Sequence, residues 1–197
     1  MPLIQEAVTE HSRPGVRALR LNWSRGSSRS GDRTTTAGAA SVLADASALA
    51  TELHADSAHQ SLERRNCDSV LSRCKTFAYG QAVQAGGKPR NRAAMTPVAE
   101  HQGRLCCSTT ANLLLKRGTK RSPWLTPPLE QWLPAGVMRA RALQLGLAVE
   151  AELGESLGPD DQLLLINSLS CRGVLSLDHQ PLAPKPRRAS RCGGAAD

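Results

Sequence analysis

The chain has 197 residues, a formal net charge of +8 and five aromatic side chains: Trp23, Phe77, Tyr79, Trp124 and Trp132. Aromatics bury the largest areas in a core, and Leu, Ile, Val and Phe together supply only 39 of the 197 residues. That is the level at which burial stops offsetting the ordering of a whole chain, so composition excludes one large aromatic core and predicts a mostly disordered chain with isolated α-helices.

Charge alternates along the sequence. Residues 1–40 carry a net +3 and are read as a disordered basic N-terminal segment. Residues 41–65 are −2 and hold the clearest helical pattern. Ser41 is a plausible N-cap, and Val42, Ala46, Leu49, Ala50 and Leu53 fall on one stripe of a helix predicted over 41–64. Residues 66–123 are +8, punctuated by Gly86-Gly87, Thr96-Pro97 and Ser122-Pro123, and are read as a disordered basic linker. Within them, Leu113-Leu114-Leu115 is too short a run to classify. Residues 124–178 are −4 and are expected to hold a small α+β unit. A helix is predicted over 136–153, with Gly146 weakening it by about 1 kcal/mol. Residues 162–167 and 173–177 read as strands of a small hairpin. The segment 179–197, rich in Pro and Arg, reads as a disordered basic tail.

No motif names a reaction. There is no G-x-S-x-G, no phosphate loop and no C-x-x-C among the six cysteines at 67, 74, 106, 107, 171 and 192. His54, His59, Cys67 and Cys74 are too widely spaced for zinc. Asp160-Asp161 reads as turn chemistry, not a catalytic carboxylate pair. The expectation is therefore no enzyme, no cofactor and no metal.

Three features point to binding. Lys116, Arg117, Lys120 and Arg121, with Lys185, Arg187 and Arg188, form short basic runs suited to nucleic acid or another anionic surface. Leu129, Trp132 and Leu133, bounded by prolines, have the spacing of a short helix that docks on a protein partner. Ser190, after Arg187-Arg188-Ala189, and Ser122, before Pro123, fit phosphorylation patterns. No apolar run approaches the roughly 18 residues of a membrane span. The N-terminus lacks the basic and apolar regions of a secretory signal. Both favour an intracellular location, cytoplasm or nucleus, with reduced cysteines.

Residues 157–177, LGPDDQLLLINSLSCRGVLSL, resemble the middle of a PDZ domain through Leu157, Asp161, Leu163, Leu164, Ile166 and Asn167. Asp160 and Ser168 stand where that family has glycine. The resemblance implies a degenerate peptide-binding fragment. The function expected from the whole sequence is a non-enzymatic interaction protein with basic disordered segments. The alternatives are the PDZ-like fragment and a chain with no selected function, an incidental or recently arisen reading frame.

Overall fold

Two uninterrupted apolar runs build the centre of the fold. In the computed structural model, Leu113–Leu115 lie within strand β6 (Asn112–Lys116) and Leu163–Ile166 within β9 (Gln162–Asn167). The two strands pair antiparallel, with Leu114 opposite Leu164 and Leu115 opposite Leu163. A strand covered on both faces has no polar side to alternate with, so its sequence is a continuous apolar run. Leu113, Leu115, Leu163 and Leu165 pack with Leu105, Leu153, Val174 and Leu177 in one cluster. Leu114, Leu164 and Ile166 face Ala142 and Ala148 in another.

The structure describes residues 5, 9, 18–24, 41–47, 56–75, 80, 84, 97–99, 102–118, 122–131 and 133–184. The chain divides into two compact units, Met1–Glu52 and Leu53–Asp197. In the first, β1 (Ala18–Ser24) and β2 (Ser41–Ser47) form an antiparallel ladder running from Ala18 opposite Ser47 to Ser24 opposite Ser41. In the second, β3 (Asp56–Ala58), β7 (Trp124–Thr126), β8 (Ala148–Glu150), β10 (Ser170–Leu177) and β11 (Gln180–Pro181) join β6 and β9 in a seven-stranded sheet. Its order is β11-β10-β9-β6-β7-β8, and β3 runs parallel to β10. A separate two-stranded sheet pairs β4 (Pro97–Ala99) with β5 (Leu105–Ser108). Helix α1 (Val137–Gln144) lies over the Leu114–Leu164 face. Among the described residues no helix is long and apolar enough to cross a membrane.

This architecture corrects the expectation of a mostly disordered, helical chain. The helix over 41–64 is absent: Ser41, its supposed cap, begins β2, and Asp56–Ala58 is β3. Alanine's intrinsic helix preference is a weak prior that strand pairing overrides. The helix over 136–153 stops at Gln144. Gly146 adopts φ +66, its N–H donates to Leu143 O (3.0 Å), and Leu147 N–H donates to Ala142 O (2.9 Å). This is the paired-bond termination that places glycine just past a helix end. The glycine taken as a blemish is therefore the stop signal, and β8 follows it. The hairpin over 162–177 is present as β9 and β10, but in the middle of a large sheet. That position separates it from the PDZ-like reading.

Leucine replaces the missing aromatics as core material. Eleven buried residues make up the larger cluster, and eight of them are leucine.

Candidate functional site

One end of the main sheet gathers three turns around Asn112. Asn112 is buried at the start of β6 and donates from Nδ2 to Pro134 O at 3.0 Å. It also lies so close to Gly136 that a Cβ there would sit 1.9 Å from Asn112 Oδ1. Only glycine allows this approach. Gly136 is the N-cap of α1, with no side-chain cap and no acidic residue in the first turn. The opening N–H groups of a helix lack intrahelical partners and carry a partial positive charge, so they favour an anion such as phosphate.

The second turn joins β9 to β10. Asn112 pairs in register with Ile166, so Asn167 is next along the same edge. Asn167 Oδ1 accepts from Leu169 N (2.9 Å), Ser170 N (2.8 Å) and Ser170 Oγ (3.1 Å). Its Nδ2 reaches Thr110 O at 3.4 Å. This fixes a tight turn that leaves Ser168 exposed. The third turn, Thr109–Ala111, is closed by Ser108, whose Oγ accepts from Ala111 N at 3.0 Å.

Behind that third turn, β5 carries Cys106 and Cys107, both buried against Leu133 and Leu129. Cys106 donates to the Cys107 sulfur at 3.7 Å. This contact is the main reason the Cys107 thiol is pulled down from 9.0 to about 7. Burial opposes the shift, and the guanidinium of Arg65 beside the sulfur reinforces it. Arg65 also donates from Nη1 to Ser72 O at 2.7 Å. Ser72 lies in the 3-10 turn Val70–Arg73. Three residues past Ser72 the chain presents Lys75, exposed. An ionisable buried thiol and an anion-favouring helix end thus border the β5–β6 turn.

The residues singled out from sequence fall elsewhere. Leu129 begins a 3-10 turn, Leu129–Gln131, and is half-buried against the two cysteines, on which Leu133 is fully buried. Trp132, Lys120, Arg121, Lys185, Arg187, Arg188 and Ser190 lie outside the described residues. Lys116 places its ammonium 5.9 Å from the centroid of Trp124. Arg117 pairs with Asp161 at 2.6 Å and donates to Ser156 O at 3.2 Å. Ser122 is half-buried just before β7. Sequence reasoning passed over Lys75, Arg65, Asn112 and Gly136, because none belongs to a spaced motif. An isolated Asn opening a leucine run was the one visible signal.

Solved structures share this fold. A Legionella pneumophila protein provisionally named 4-amino-4-deoxychorismate lyase superposes with a TM-score of 0.75 at 21% identity, covering 94% of this chain and 70% of its own. A branched-chain aminotransferase from Thermoproteus uzoniensis, with norvaline, gives 0.71 at 17% identity, covering 85% and 59%. The branched-chain amino acid aminotransferase of Thermobaculum terrenum in its PLP-form gives 0.62 at 17%, covering 77% and 52%. The chain therefore spans between about half and 70% of these proteins' lengths. A search of curated proteins returns no match. The family model for amino-transferase class IV matches residues 2–177. That match overturns the expected non-enzymatic interaction protein together with its alternatives, the PDZ-like fragment and the chain without selected function. The chain belongs to the class IV aminotransferase family.

Proposed function

We propose that this chain is a pyridoxal phosphate-dependent enzyme that moves an amino group between an α-amino acid and a 2-oxo acid. The observation that carries the reading is the family match over residues 2–177, supported by the uncapped α1 N-terminus beside Asn112 at the β5–β6 turn and the exposed amine of Lys75. The residues fit the cofactor. The cradle at Gly136, which a Cβ would fill, and the hydroxyl of Ser168 would take its phosphate. Lys75 would hold it covalently, the usual role of lysine toward this group. When bound, pyridoxal phosphate supplies an electron sink for negative charge developing at the substrate carbon. Lys75 and Lys116 are the two lysines among the described residues. Lys116 is committed to Trp124, which leaves Lys75 as the amine in reach of chemistry.

The test is attachment. Full-length protein is incubated with pyridoxal phosphate, reduced with borohydride and mapped by mass spectrometry. The label is expected on Lys75. Lys75→Ala should remove it and lower amino transfer by roughly 10³-fold, while Lys116→Ala should keep it. Label on Lys116, or on no lysine, overturns the reading.

A further inference from the structure

The strand β5 holds two adjacent thiols on one side of the backbone, which a regular strand forbids because neighbours alternate faces. The pairing of β4 with β5 explains it. Val98 lies opposite Cys107 and Ala99 opposite Leu105, with a register shift between them. Cys106 is thus the extra residue of a β-bulge, which re-aims its side chain. The result is the Sγ–Sγ contact of 3.7 Å. The cation beside the pair is Arg65, which favours a thiolate and disfavours a bound metal cation.

We propose that Cys106 and Cys107 are an oxidation site that closes reversibly to a vicinal disulfide when it meets a small peroxide. The Cys107 thiolate attacks one peroxide oxygen. The O–O bond breaks, hydroxide leaves and is protonated to water, and Cys107 becomes a sulfenic acid. Cys106 sulfur then attacks the Cys107 sulfur. An S–S bond forms, the S–O bond breaks, and the departing hydroxide takes the Cys106 proton as a second water. Two thiols lose two hydrogens and two electrons, and one hydrogen peroxide is reduced to two waters. Arg65 favours the first step by holding the thiolate.

Two features define what this site accepts and how it reopens. Both sulfurs are fully buried, so the site shuts out a bulky disulfide such as oxidised glutathione and selects for a water-sized oxidant such as hydrogen peroxide. Consecutive Cα atoms lie about 3.8 Å apart, shorter than the usual disulfide range of roughly 4.4–6.8 Å. The closed form is therefore strained and readily reduced. The inference stands independently of how Lys75 is used.

Full-length protein is treated with hydrogen peroxide at neutral pH and digested with trypsin. The peptide 105–116 contains both thiols and no other cysteine. It is expected to lose two hydrogens and regain them with dithiothreitol, while oxidised glutathione leaves it unchanged. Cys106→Ala should stop at a Cys107 sulfenic acid that dimedone captures. Arg65→Gln should slow closure by roughly threefold or more. The proposal falls if peroxide oxidises exposed Cys74 while peptide 105–116 stays reduced. It falls equally if closure occurs only in urea, or if Cys107 pairs with Cys67.

Discussion

Asp161 shows how one carboxylate fastens several loops. Its Oδ2 accepts from Gly158 N (2.9 Å) and Arg117 Nη1 (2.6 Å), and its Oδ1 from Gly118 N (3.1 Å). Burial pushes its pKa up, but the two backbone donors and Arg117 outweigh burial and hold it below the ordinary 3.8. A carboxyl depressed in the folded state contributes stability that is complete above its unfolded value and is lost as pH falls through the folded one. The urea midpoint should therefore drop as pH falls below the ordinary carboxylate value, and Asp161→Asn should flatten that part of the profile. Gly136 gives a second test at this scale. Gly136→Ala drives a methyl into Asn112 Oδ1 and breaks the bond to Pro134, at a cost of about 1–3 kcal/mol by thermal denaturation. Adding Asn112→Ala relieves the clash, so the double variant should lose less than the sum of the two singles.

Strand β6 turns Leu113 and Leu115 to one face of the sheet and Leu114 to the other, where α1 covers it. Leu115 is fully buried opposite Leu163, and truncating it leaves a cavity between strands that cannot close. Leu115→Ala should cost about 2–5 kcal/mol in chemical denaturation, whereas Leu175→Ala, at an exposed position, should cost a small fraction of that. This same strand shows why the sequence was hard to read. The run Leu113–Leu115 lacked alternation because both its faces are covered. The hairpin at 162–177 was legible because a turn sits between two apolar runs. β2 was not, since its pairing partner β1 lies some twenty residues upstream and short-range pattern carries no trace of it. The stop at Gly146 was visible as a residue but was scored as propensity and not as a cap.

At the scale of the molecule, the low aromatic content was a sound observation with the wrong consequence. Leucines interdigitating across both sheet faces provide the burial, and area, not ring character, sets that driving force. The candidate site was illegible for a different reason. Cys107, Asn112, Gly136 and Asn167 come from separate stretches that the fold brings to one end of the sheet. Two arginines are tied into the fold, Arg117 through its pair with Asp161 and Arg139 more deeply. Arg139 is buried, donates to Pro127 O at 2.7 Å and pairs with Glu150.

The parallel pairing of β3 with β10 has a consequence in time. Gln60 N donates to Asp178 Oδ1 at 2.9 Å across 118 positions of sequence, and Asp178 N donates to Ala58 O at 3.0 Å. A chain growing from its N-terminus makes β3 early and must wait for almost all of the second unit before β3 finds its neighbour. High contact order of this kind slows folding. Until synthesis passes residue 178, the leucine strands lie open on at least one edge, exposed to the company of other nascent chains.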